Sequence, residues 1–110
     1  FMEAIQLYHY KNDYRHVYPI KVNQQKHVID SIRSAGVETH SGLEVGSKPE
    51  LLAILTIPDE GESLFLCNGY KDEEYIELAL LSRKLGKRTI IIIEQAYECK
   101  LILDVAERIG

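Results

Sequence analysis

The regular alternation of short apolar runs with segments of helical spacing constrains this 110-residue chain more than any other feature. His16-Val17-Tyr18-Pro19-Ile20-Lys21-Val22 is rich in β-branched and aromatic residues and predicts a strand. Pro19 has no N–H for a ladder and favours a strand end or edge. Gln24 to Ala35 follows, with Val28, Ile29 and Ile32 on one helix face and Gly36 as the stop. The second unit begins near Thr39, runs through Leu43-Glu44-Val45 and opens its helix at Ser47-Lys48-Pro49-Glu50. That is a capping box: Ser47 is the N-cap, Glu50 reaches back to it, and Pro49 is tolerated in the first turn. Leu51, Leu52 and Leu55 continue the helix, and Pro58-Asp59-Glu60-Gly61 predicts a loop. Ser63 to Cys67 is a third strand, apolar on both faces, and Asp72 caps the helix that follows, with Glu73 and Glu74 complementing its dipole. That helix runs through Ile76, Ala79 and Leu80 to Lys84-Leu85-Gly86. Thr89 to Ile93 is the fourth strand, and Ala96 to Ile109 the fourth helix, with Leu101, Ile102, Val105 and Ile109 on one face. A leading helix over Phe1 to Tyr10 precedes all four units.

Continuous apolar strands with helices between them predict an α/β fold whose parallel sheet is covered on both sides. The stretch from His16 to Gly110 allows about 24 residues per unit, against roughly 31 in an eight-fold barrel of about 250 residues. Half a compact barrel fits that length, and so does a small open sheet. The 45% hydrophobic and 27% charged composition is that of a soluble globular protein. Net charge is −4 with thirteen scattered Lys and Arg residues, which argues against a nucleic-acid surface. The run Ile90 to Ile93 is far too short to span a bilayer, and Phe1-Met2-Glu3-Ala4 lacks the basic start and apolar core of a secretory leader. Cys67 and Cys99 fit no metal spacing; both are expected to be small apolar fillers in a protein of a reducing compartment, the cytoplasm. A start at Phe1 and a stop at Ile109-Gly110 are expected of an excised fragment.

Each strand hands over to its loop at a polar residue: Lys21 and Asn23, Glu44 and Ser47, Asn68, then Glu94. In parallel α/β folds ligands bind at the C-terminal strand ends, so these residues are expected on one rim. The bland account is that strands must end in something polar. Lys21, between Ile20 and Val22, is costly to bury as a charge; burial would favour the neutral amine that attacks an aldehyde. A lysine that snorkels to solvent at a strand end is the alternative.

Tyr18-Pro19-Ile20-Lys21-Val22-Asn23-Gln24 resembles the tyrosine-x-x-lysine-x-asparagine strand of the alanine-racemase-like pyridoxal phosphate (PLP) barrels, in which that lysine carries the cofactor. Ornithine, diaminopimelate and arginine decarboxylases belong there. Val17 to Gln25, Gly42 to Leu51 and Cys67 to Ile76 are most similar to the biosynthetic arginine decarboxylase family. The similarity extends over the whole chain. It implies that residues 1–110 are part of a PLP-binding (β/α) barrel of the TIM type, about half of it: a leading helix over about 1–10, then four strands alternating with helices over about 16–110.

The resemblance further implies that Lys21 forms the internal aldimine with PLP, that L-arginine displaces it, and that agmatine and CO2 are the products, feeding polyamine synthesis. Glu44, Ser47 and Glu50 match an acidic-then-serine-lysine segment beneath the cofactor in relatives. Glu44 is expected to position the lysine or the aldimine, and Glu44, Asn23, Ser47 and Asn68 are the expected cofactor-binding residues beside Lys21, although the capping box already accounts for Ser47 and Glu50. Asn23, Asn68, Tyr70 and Lys71 are candidate pocket residues, and Glu94 a weaker one. Mg2+ is a further cofactor of the family, with no site visible in this chain. The family's phosphate loop, ring-nitrogen acid, stacking histidine and second-subunit cysteine match nothing here. Cys67 and Cys99 do not fit that cysteine, His40 lies at the wrong strand end, and His9, His16 and His27 look like surface positions. These residues alone are therefore expected to be inactive, and their open sheet edges to favour a homo-oligomer. Other readings are a diaminopimelate or ornithine decarboxylase, a non-catalytic PLP-homeostasis protein, or a small α/β binding module.

Overall fold

Four strands pair in the order β1-β2-β3-β4, every neighbour parallel. They are β1 (Val17–Pro19), β2 (Gly42–Val45), β3 (Leu64–Cys67) and β4 (Arg88–Ile91). The helices are α1 (Met2–Leu7), α2 (Lys26–Ala35), α3 (Lys48–Leu55), α4 (Glu73–Lys84) and α5 (Ala96–Ile109). The computed structural model describes residues 1–23, 25–35, 41–57 and 63–110. Thr39, His40 and the loop expected at Pro58 to Gly61 therefore lie outside the described residues.

Sequential parallel neighbours separate the two architectures that repeat length left open. A doubly wound sheet reverses its strand order at a switch point, whereas a barrel adds each strand beside the last. Right-handed connections between adjacent parallel strands put all the helices on one face. That corrects the expectation of a sheet covered on both sides. The ladder sets Leu43, Phe65 and Thr89 in one row and Val45, Cys67 and Ile91 in another. Those rows face the helices: Leu43, Val45, Phe65 and Cys67 are at most 1% exposed, packed with Leu51, Ile54, Tyr75 and Ala79. Pro19, Glu44, Leu66 and Ile90 form the alternate row, and there Ile90 is 47% exposed. Among the described residues that face of the sheet is thus left without helix cover. The chain's radius of gyration, 15.0 Å, exceeds the roughly 13 Å of a closed domain this long.

Local chemistry explains the helix ends. Ser47 caps α3 by accepting the Glu50 N–H at 3.4 Å, but the Glu50 carboxylate takes the Gly46 N–H at 2.8 Å, not that of Ser47 as the capping box predicts. Asp72 accepts the Tyr75 N–H at 2.8 Å and starts α4. At its other end Lys87 N–H reaches Ser82 O and Gly86 N–H reaches Arg83 O, with Gly86 at φ +85°. This is a Schellman stop.

The strands end sooner than expected. Proline offers β1 no N–H beyond the Pro19–Glu44 rung, and Ile20 to Val22 coil into a 3-10 turn. β4 stops at Ile91 because β3 ends at Cys67; Ile92 N–H takes Cys67 O at 2.9 Å, and Asn68 turns its own N–H to Val45 O.

Candidate active site at the C-terminal rim

Lys21 sits in the 3-10 turn, past the end of β1. It is exposed and makes no ion pair or hydrogen bond among the described residues. Of the two readings the residues allowed, burial inside an apolar strand is corrected, and a lysine that reaches solvent at the strand end is what the structure shows. Ile20 takes the buried position at 1% exposure, because the turn rotates the next residue away from the helix-covered face. Pro19 pairs with Glu44, so Lys21 stands two residues past the neighbour of that carboxylate.

Glu44 and Asn68 come together as the strand ends predict. Asn68 Nδ2 donates to Glu44 Oε1 at 3.3 Å, and Gly69 N–H donates to Asn68 Oδ1 at 2.9 Å. With its oxygen engaged by Gly69, the Asn68 amide can only offer its NH2 to Glu44. Asn23 lies at the same end, but its Oδ1 accepts the Gln25 N–H at 3.0 Å and its carbonyl accepts the Tyr18 hydroxyl at 3.4 Å. Ser47 spends its hydroxyl on the α3 cap. Glu94 is exposed, and Tyr70 is 77% exposed.

Lys71 departs from the expected pocket role. It is 1% exposed, donates to Gly69 O at 2.7 Å, and faces Glu98 Oε1 at 3.5 Å. Sequence reasoning overlooked Glu98, although Gln95-Ala96-Tyr97-Glu98 has capping-box spacing; Glu98 Oε2 accepts the N–H of Glu94 at 2.7 Å and of Gln95 at 3.2 Å. Those amide bonds, foremost Glu94 N–H, hold the Glu98 carboxyl below the usual range against its desolvation, and Lys71 adds to them.

Tyr75 is the other overlooked contributor. Its buried hydroxyl lies 3.1 Å from Asn68 O and 3.3 Å from Val45 O, bridging β2 and β3 where their ladder ends. Burial, with Cys67 next, pushes its proton affinity far up, so it stays a donor. Burial likewise pushes the Cys67 thiol up to about 11, against the opposing influence of Tyr75 and Lys71. Cys67 is the apolar filler expected; Cys99 is exposed, which corrects that expectation for it. His9, His16 and His27 are exposed. Among the described residues no group of three or more His, Cys, Asp or Glu could hold a metal ion, and no helix is long and apolar enough to cross a membrane.

The accessible lysine beyond the first strand and the held carboxylate on the second lie at the C-terminal end of a parallel sheet, where such folds bind ligands. The chain belongs to the pyridoxal-dependent decarboxylases: residues 2–109 match that family's pyridoxal binding domain. Among individual relatives it is 50% identical, over its full length, to the biosynthetic arginine decarboxylases of Shewanella halifaxensis (strain HAW-EB4) and Prochlorococcus marinus (strain MIT 9301). It covers 18% and 17% of those proteins, so it spans under a fifth of the curated relatives it matches. The crystal structure of the biosynthetic arginine decarboxylase from Campylobacter jejuni superposes on 97% of the chain with a TM-score of 0.88 and 33% identity, covering 18% of that molecule. The four strands are accordingly an arc of a PLP barrel.

Proposed function

We propose that this protein is a PLP-dependent decarboxylase that converts L-arginine to agmatine and CO2, with Lys21 as the residue that holds the cofactor. The observation that carries the reading is the accessible Lys21 amine beyond β1, two residues past the neighbour of a carboxylate that Asn68 holds on β2. The arginine assignment draws on relatives at 50% identity.

Lys21 fits the role because its ε-amine is unencumbered among the described residues and lies at the C-terminal end of a barrel strand, where such folds bind ligands. Bound PLP supplies the sink for the electron pair left when the α-carboxylate departs. Glu44 stands on the rim beside the strand that leads into Lys21, and Asn68 Nδ2 keeps its carboxylate oriented. Asn23 shapes the entry to α2 through its bond to Gln25 N–H, and Ser47 shapes the entry to α3. On this reading residues 1–110 form a leading helix and four βα units of the cofactor barrel; the whole protein is a cytoplasmic homo-oligomer.

The test is borohydride reduction of the full-length protein with PLP, followed by peptide mapping. A pyridoxyl adduct on Lys21, its loss in Lys21→Ala, and CO2 release from L-arginine in preference to L-ornithine and diaminopimelate are the expected results. No adduct at Lys21, or indiscriminate labelling of surface lysines, would overturn the reading.

A further inference from the structure

Two charged side chains on the rim, Lys71 and Glu98, are enclosed far more completely than any other candidate site residue. Lys71 and Glu98 are each 1% exposed, on the loop after β3 and in the first turn of α5. Taking an ion pair out of water costs about as much as the attraction returns, so net stability is a poor account of why charges stand here. Their connections suggest a better one. Glu98 binds the N–H groups of Glu94 and Gln95 with one oxygen and faces Lys71 with the other. Lys71 in turn donates to Gly69 O, Gly69 N–H to Asn68 Oδ1, and Asn68 Nδ2 to Glu44 Oε1. An unbroken polar chain thus runs from the start of α5 to the Glu44 carboxylate.

Gly69 is the pivot. It holds φ +77°, and its Cα packs so closely on Gly46 that a Cβ would lie 3.1 Å from the Gly46 carbonyl carbon. A residue so placed has both flanking peptides tied: its N–H sets which way the Asn68 amide points, and Lys71 secures its carbonyl. We propose that Lys71 and Glu98 are positioning residues for the Glu44 carboxylate, acting through Gly69 and Asn68 to fix the charge presented to the cofactor-bearing Lys21. The proposal rests on the reading of Lys21 given above. It assigns Lys71 to the support of the site, not to its lining.

The test removes both charges together, so that neither is left buried alone. Lys71→Met with Glu98→Gln keeps a side-chain carbonyl to cap α5. The readout is the pH midpoint of the cofactor's visible absorbance in the full-length protein with PLP, compared with Glu44→Gln and with the triple variant. Cys67, Tyr75 and Glu50, the other ionisable groups coupled to this neighbourhood, stay unchanged in all of them. With the Glu44 carboxylate no longer held in place on the rim, the midpoint falls by about half a unit or more, in the same direction as in Glu44→Gln. In the triple variant the charge removal adds nothing to Glu44→Gln, because the pair acts only through that carboxylate. Should that double variant fail to fold, Lys71→Gln with Glu98→Gln, which removes both charges and leaves a polar side chain at each position, gives the same direction with a smaller shift. An unchanged midpoint, or a shift that adds fully to that of Glu44→Gln, overturns the positioning role while the Lys21 adduct survives. If the wild-type protein gives no adduct at Lys21, the reading beneath it falls and the proposal with it.

Discussion

Two glycines with the same backbone sign but different surroundings separate conformational strain from close packing at the rim. Gly86 has φ +85° with nothing within 4 Å of the position an added Cβ would take, whereas Gly69 has φ +77° and would drive a Cβ into the Gly46 carbonyl. Alanine at Gly86 therefore carries only the left-handed penalty of roughly 1–2 kcal/mol, partly offset by a stiffer unfolded chain, for a net loss of about 1 kcal/mol. Alanine at Gly69 carries that same penalty. It also forces apart the ends of β2 and β3, an overpacking cost of about 1–3 kcal/mol, which brings the total to about 2–4 kcal/mol. The obstructing atoms are backbone, so no rotamer change relieves the contact. With a urea dependence of about 1–3 kcal/mol per molar, the midpoint falls by about 0.5 M in Gly86→Ala and about 1–2 M in Gly69→Ala. Urea unfolding followed by far-UV circular dichroism, at one fixed protein concentration, measures both. Equal midpoints for the two variants would refute the close-packing argument, since they would leave only the shared backbone term.

Alkaline pH should weaken the core through Cys67. Its thiol rises from an ordinary 9.0 to about 11 in the fold, so above pH 9 the unfolded chain gives up a proton that the native one keeps, and stability falls through the window from 9 to about 11. The loss is about 1 kcal/mol by pH 10 relative to pH 8, and Cys67→Ala flattens that part of the profile; an equally steep profile in the variant would assign the loss elsewhere. Tyr75→Phe strips the donor shared by Asn68 O and Val45 O and should lower stability by about 1–2 kcal/mol in the same urea measurement, with faster hydrogen exchange at Asn68 N–H as the local signature. Unchanged exchange there would mean that the hydroxyl does not tie the two strand ends together.

The elements that depend on near neighbours in the chain were legible before any coordinates. α5 spans the Ala96 to Ile109 expected of it, and α4 begins after the Asp72 cap and ends before the Gly86 stop. Caps, dipole-matched charges and 3.6-residue spacing act within one or two turns, so the sequence displays them directly. The placing of Glu44 and Asn68 on one rim was legible for a related reason: parallel strands with helical crossovers must put their C-terminal ends together.

What the tertiary structure decided concerns partners distant in sequence. β4 was expected to reach Ile93 and ends at Ile91, because a strand lasts only as long as its neighbour and β3 stops at Cys67. By composition Lys21 reads either as a buried strand residue or as one that reaches solvent at a strand end; it lies in an exposed turn, because Pro19 closes the ladder before it. Lys71 reads as a loop cation and is buried, because Glu98, 27 positions later, supplies the opposite charge that makes burial tolerable. Charge type and strand propensity are written residue by residue, whereas burial and pairing belong to whatever the fold brings alongside.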